Sequence, residues 1–144
     1  MKNSIKNSIQ ILAMILLISC SSGEDNPVPG SPDEVSNAVT SGSWRITYFW
    51  DTDKDETNHF TGYNFTFEEE GTLSATNGVN TYNGIWTTGM DDSQVKLIIS
   101  FGSPPDFVDI SDDWHVIEQS SSKIRLEDVS GGNGGTDFLT FEKN

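Results

Sequence analysis

Two hydrophobic patterns divide the chain. Near its start, Ile9 and then Ile11 to Ile18 form one apolar run broken only by Gln10, whereas from Trp44 onward apolar side chains recur at every second position. The early run is about half of the ~20 apolar residues that a membrane-crossing helix needs. With Lys2 and Lys6 ahead of it, it has the charged and apolar regions of a secretory signal over residues 1–19. Residues 20–32 are small, polar or proline, too poor in apolar area to order themselves, and predict a flexible tether. Residues 33–144 are then the folded domain.

That domain opens with a short helical turn, capped by Asp33, carrying Val35, Ala38 and Val39 and ending at Thr40-Ser41-Gly42. Period two follows. Ser43 to Asp51 puts Trp44, Ile46, Tyr48 and Trp50 on one face and Arg45, Thr47 and Phe49 on the other. Tyr63, Phe65 and Phe67 alternate next, and Glu69-Glu70-Gly71 turns the chain into Thr72 to Thr76. Asn77-Gly78 predicts a two-residue hairpin turn with positive φ at both residues, leading into a strand from about Val79 to Thr87. Later strands centre on Val95 to Phe101, Trp114 to Ile117, Lys123 to Leu126 and Phe138 to Phe141, with Gly102 to Pro105 and Gly131 to Gly135 as loops. Short strands joined by turns, with no helical crossover, predict an all-β antiparallel up-and-down meander. Closure into a barrel of about eight strands removes its edges.

Charge and cysteine usage add the compartment. All 22 acidic residues lie beyond Cys20 and only six of the eight basic ones do, so the chain from Cys20 onward carries a net charge of −16. Such a surface repels nucleic acid and anionic headgroups. Cys20 is the only cysteine and has no disulfide partner. Leu17-Ile18-Ser19-Cys20, directly behind the apolar run, resembles the lipobox of bacterial lipoproteins. That resemblance implies cleavage before Cys20, acylation of its thiol with diacylglyceryl and palmitate-type chains, and anchoring as an outer-membrane lipoprotein, periplasmic or surface-exposed. Buried hydrocarbon, at ~0.8 kcal/mol per methylene, would hold the acidic domain where charge cannot. Glu24-Asp25 resembles the surface-export signal of lipoproteins of the Bacteroidota and reads equally as a generic acidic linker.

Gly42-Ser43-Trp44, behind a helical turn and opening the first strand, resembles the Gly-x-Trp element of lipocalin barrels, and with Gly84-Ile85-Trp86 the layout is similar to small lipocalin-like lipoproteins of the Bacteroidota. The resemblance covers about Asp33 to Lys143. It implies a basic residue from a late strand packed on Trp44, for which Arg125 is the candidate. The second conserved lipocalin block and the C-terminal helix are missing from the sequence.

An eight-strand barrel is near the size at which side chains fill the interior or leave room for one small ligand. Trp44, Tyr48, Trp50, Phe65, Phe67 and Trp86 are the residues expected inside, either as core or as the lining of an apolar pocket. The acidic run Asp51, Asp53 and Asp55 resembles the start of a calcium loop, but Glu56 stands where the sharp turn needs Gly and Gly62 where a bidentate Glu is needed, so a solvated hairpin is the expectation. His59 and His115 are the only histidines, without a glycine-framed serine or a spare cysteine, and no enzyme chemistry, zinc site or cofactor is expected. Asp112-Asp113 could be an acid/base pair only if both carboxyls shared a face, which adjacent strand residues do not. Two functions stay open. One is a small apolar ligand in the barrel; the other is a protein-interaction or inhibitor module using the outer face or loops, marked by an exposed cluster such as Phe49, Phe107 and Phe138.

Overall fold

The computed structural model describes residues 29–129 and 135–144. The helix α1 (Pro32–Val39) is followed by β1 (Ser43–Asp51), β2 (Lys54–Asp55), a 3-10 turn (Thr57–Phe60), β3 (Asn64–Phe67), β4 (Thr72–Thr76), β5 (Thr81–Asp91) and β6 (Gln94–Phe101). The short α2 (Pro105–Asp109), β7 (Asp113–Gln119), β8 (Lys123–Val129) and β9 (Thr136–Lys143) complete the chain. Strands β3 to β9 pair in sequence order, β1 pairs with both β3 and β9, and the sheet closes into an eight-strand antiparallel barrel with β2 as one extra strand on β1. Closure leaves the barrel without the open edges that would invite pairing with another chain.

Local chemistry sets the elements with some departures from the pattern. Ser31, not Asp33, caps α1: its Oγ accepts from the Glu34 amide, Pro32 takes the first helical position, and Asp33 and Glu34 sit in the first turn where the helix dipole favours carboxylates. Between β4 and β5 only Gly78 has positive φ, at 85°, and the Asn77 side chain accepts from the Val79 and Asn80 amides. The turn is therefore a four-residue loop held by an Asx motif, with β5 starting at Thr81 instead of Val79. The Gly102–Pro105 segment leads into α2, five residues too few for a helical period to register.

The main departure lies in β1. Ile46 pairs with Phe141 and Tyr48 with Thr140, so Thr47 is an extra, unpaired residue: a β-bulge. Below it Trp44 and Ile46 point inward as the alternation predicts. Above it the faces exchange, so that Phe49 is buried while Tyr48 is 39% exposed and Trp50 is half-buried. A second bulge, at Ile117 in β7, turns Glu118 to the outside opposite Arg125.

Both ends of the barrel are stoppered. At the end where β1 begins, α1 inserts Val35 and Val39, each fully buried, and packs against β5 and β6. At the other end the 3-10 turn contributes Phe60 and α2 contributes Phe107 and Ile110, all buried.

Candidate functional site

Of the six residues expected inside the barrel, Trp44, Phe65, Phe67 and Trp86 are buried in it; Tyr48 and Trp50 stand on the outer wall, displaced by the bulge. The interior four belong to a continuous aromatic packing. Phe107 lies 5.4 Å from Phe60, 5.1 Å from Phe101 and 6.0 Å from Phe65, measured between ring centroids. Phe65 and Phe67 flank Phe141 at 5.4 and 5.6 Å, and Phe67 meets Trp86 at 5.5 Å. Most of these contacts are edge-to-face, the arrangement aromatic quadrupoles favour. Gly84 is the one inward position on β5 that could have left a gap, and the Phe101 ring fills it: a Cβ on Gly84 would lie 2.8 Å from that ring and 2.4 Å from the Ser100 carbonyl. Phe49 and Phe107, two of the three residues named for an exposed cluster, are buried, and only Phe138 is on the outside.

The buried indoles fasten the stoppers. Trp44 Nε1 donates to the Val39 carbonyl at the end of α1 (2.8 Å), and Trp114 Nε1 donates to the Ile110 carbonyl at the end of α2 (3.0 Å). Trp86 Nε1 donates to the Glu68 carbonyl (2.9 Å). The cation over Trp44 is Lys143 of the last strand, its Nζ 5.3 Å from the ring, and not Arg125. Arg125 lies on the outer face, where it donates to Glu118 at 2.9 Å. The register of β9 against β1 decides this, because Trp44 pairs directly with Lys143. Gly42, at φ 102°, passes close beneath that lysine, and a Cβ there would meet Lys143 Cε at 3.1 Å.

Three rows of side chains cross the outer wall of β1, β9, β8 and β7. The lowest is Arg45, Glu142 and Lys123, with Glu142 between the two cations at 3.4 and 4.0 Å. The middle row runs Tyr48, Thr140, Arg125, Glu118, and the upper row Trp50, Phe138, Glu127, His115. A cleft of about 190 Å³ opens between the middle and upper rows, lined by Tyr48, Phe138 and Arg125 with Thr140, only 7% exposed, on its floor. Two other clefts, about 390 and 640 Å³, flank α1; Ser36, Asn37, Glu70 and Thr88 are among the residues lining the smaller, and Ala38, Ser120 and Lys143 among those lining the larger. The wall was not anticipated, although Tyr48-Phe49-Trp50 held a signal. Three consecutive aromatic residues in a strand put at least one ring outside whatever the register.

The acidic candidates separate. Asp51, Asp53 and Asp55 lie on the β1–β2 hairpin, where hydrogen bonding from the Thr57 hydroxyl and then from the Thr57 amide, at 3.0 Å, holds the Asp55 carboxyl below the usual carboxylate range, and Asp51 accepts from Thr52 Oγ1. Asp112 and Asp113, expected on opposite faces, instead bring their carboxyls together with that of Asp128, all within 4.8 Å. Asp112 precedes β7 and is free of its alternation, and its carboxyl accepts from the Asp113 amide at 2.7 Å. Burial pushes the Asp112 carboxyl up, while a hydrogen bond from Lys96 holds Asp113 down. Lys96, which pairs with Gly89 of β5, is itself buried and reaches Asp91 as well, at 3.1 Å; the Asp113 hydrogen bond raises its pKa. His59 faces Asp106 at 3.5 Å across the stopper formed by the 3-10 turn and α2. Cys20 and the tether as far as residue 28 lie outside the described residues, whereas the last residues assigned to the tether, Ser31 and Pro32, cap and begin α1 because the Ser31 hydroxyl accepts from the Glu34 amide.

No protein-family model and no curated protein matches the chain. Among solved structures it is similar to a DUF4847 family protein from Bacteroides vulgatus, with a TM-score of 0.53 and 17% identity, over 76% of this chain and 97% of that one. The likeness is one of fold.

Proposed function

We propose that the chain is a bacterial lipoprotein, held to the outer membrane by acyl chains on Cys20, whose filled barrel is a scaffold that binds through its outer wall and performs no chemistry. The observation that carries the choice of wall over interior is the packing of the barrel. Rings at centroid distances of 4.9 to 6.5 Å occupy the space a small apolar ligand would need, and both ends are stoppered. The anchor rests on the lipobox-like Leu17-Ile18-Ser19-Cys20 and on the charge of the chain behind it.

Two measurements test these halves. Cys20→Ser should move the protein from the membrane to the soluble fraction and abolish incorporation of labelled palmitate; retention of the label would refute the anchor. Native mass spectrometry of the acylated chain released from detergent should show the protein with no stoichiometric apolar companion. A retained apolar molecule would restore the reading in which the barrel carries a ligand.

A further inference from the structure

The outer wall combines aromatic side chains with balanced charges, unlike the uncharged outer face of β3 and β4 and unlike the acidic turns. Its three rows hold Arg45, Lys123 and Arg125, half of the six basic residues that follow Cys20, against Glu118, Glu127 and Glu142. The wall is neutral on a chain of net charge −16. Five of its six charges are also already paired in place, Arg125 with Glu118 and Glu142 with Arg45 and Lys123. The side chains in the cleft are therefore fixed hydrogen-bonding groups with spare capacity: a guanidinium has five donors, of which Arg125 gives one to Glu118. Next to them stand aromatic faces. Tyr48 and Phe138 line the cleft, and Trp50 pairs with Phe138 across the strands. The two bulges create this arrangement, one turning Tyr48 and Trp50 outward and the other turning Glu118 to meet Arg125. Bulges recur where a strand must re-aim a side chain at a site.

From this juxtaposition we infer that the wall cleft between Tyr48, Phe138 and Arg125 binds a neutral saccharide, one ring per cleft. The inference rests on the outer-wall reading and names its ligand class. A pyranose has an apolar face of C–H groups suited to an aromatic side chain, and a rim of hydroxyls that both donate and accept. The Arg125 donors and the Thr140 hydroxyl, both in the cleft lining, answer that rim. Charge selects the neutral class. An acidic polymer meets the field of the other 19 carboxylates on the chain, and a basic partner finds stronger attraction at acidic turns such as Glu68-Glu69-Glu70 and Asp91-Asp92. Size agrees, since about 190 Å³ is below the ~300–1,000 Å³ of pockets that enclose a drug-sized ligand and suits a single ring.

Tryptophan emission supplies the test, because Trp44, Trp86 and Trp114 are buried and Trp50 alone is part-exposed beside the cleft. The acylated chain in a detergent without a sugar headgroup is titrated with neutral gluco-, xylo-, manno- and galacto-hexasaccharides of α and β linkage, and with oligogalacturonate as the acidic control. A saturable shift with at least one neutral oligomer is expected, weakened about tenfold or more by Tyr48→Ala and by Arg125→Gln, and unchanged by Ile85→Ala, an exposed apolar residue on β5. Near-UV circular dichroism confirms that each variant is folded. The proposal is overturned by silence across the panel, by tighter binding of oligogalacturonate, or by a shift that survives both cleft substitutions. It is also overturned by concentration-dependent dimerisation that Tyr48→Ala abolishes, which would make the wall a contact between copies. An apolar molecule retained in the barrel would remove the outer-wall reading as well, whereas a silent panel with an empty barrel removes only this inference.

Discussion

Truncating Phe107 separates a filled barrel from one that holds a ligand. The ring is 2% exposed and has five aromatic neighbours, Phe60, Tyr63, Phe65, Tyr82 and Phe101, at centroid distances from 4.9 to 6.0 Å. Phe107→Ala removes a group packed on every side, and the neighbours, fixed to strands of a closed sheet, can collapse only partly. The cost expected for a buried Phe→Ala is about 3–5 kcal/mol, from lost transfer energy and from the cavity left behind. For a domain whose whole stability is of order 5–15 kcal/mol this is a large fraction. With a urea m-value near ~1.5 kcal/mol/M the midpoint should fall by about 2–3 M at unchanged slope. The neighbouring Val108→Ala, at a side chain 44% exposed on the same short helix, is the control and should move it by less than ~0.5 kcal/mol. Equilibrium urea unfolding followed by tryptophan emission and by far-UV circular dichroism makes the measurement. A loss below ~1 kcal/mol for Phe107→Ala would mean that the ring borders empty space, and the filled-barrel reasoning would fail with it.

Further expectations follow from single contacts. Gly84→Ala drives a Cβ into the Ser100 carbonyl and the Phe101 ring and should destabilise by about 1–3 kcal/mol or more, while Gly89→Ala, with no atom within 4 Å of the new Cβ, should be tolerated; thermal melts of the pair check this. Lys143→Met keeps most of the stem over Trp44 but removes the cation, and should cost about 0.5–1 kcal/mol in urea unfolding, an effect Arg125→Met should not reproduce through Trp44. Asp113 has its folded pKa held down by Lys96, so its contribution is present above the unfolded carboxylate pKa and is lost as pH falls through the lower, folded value. Stability measured from pH 7 downward should therefore decline less steeply in Asp113→Asn than in the parent, and parallel profiles would contradict the assignment.

The alternation of apolar residues was sufficient to predict the class of fold, because in a closed antiparallel sheet burial itself has period two, and Trp44, Phe65, Phe67, Leu97, Ile124 and Leu126 obey it. What the pattern could not reveal is where the period skips. Thr47 and Ile117 are ordinary strand formers, and nothing local distinguishes a β-branched residue that pairs from one that bulges; the bulge at Thr47 is defined only by the partner register of β9. That one skip moved Tyr48 and Trp50 out of the interior and Phe49 into it. The choice of Lys143 over Arg125 was hidden for the same reason, since both are basic residues of late strands and only closure of the sheet aligns one with Trp44. α2 leaves no periodic signature because Pro105-Asp106-Phe107-Val108-Asp109 completes little more than one turn, so its one buried residue, Phe107, and the buried Ile110 that caps it show no repeat. The stopper made by the 3-10 turn and α2 therefore had no signature beyond isolated apolar residues in apparent loops, whereas the helical spacing of Val35, Ala38 and Val39 marked α1 at the other end.

The indole bonds from Trp44 to Val39 and from Trp114 to Ile110 bear on how the molecule moves. A stopper that swings away leaves an indole N–H among apolar side chains with no acceptor, at roughly 1–3 kcal/mol before any ring contact is lost. Each stopper is thus welded to a wall residue on the far side of its own loop, and ends and wall melt as a single cooperative unit rather than as separate foldons. Opening the barrel at either end then carries this cost in addition to the ring contacts it breaks.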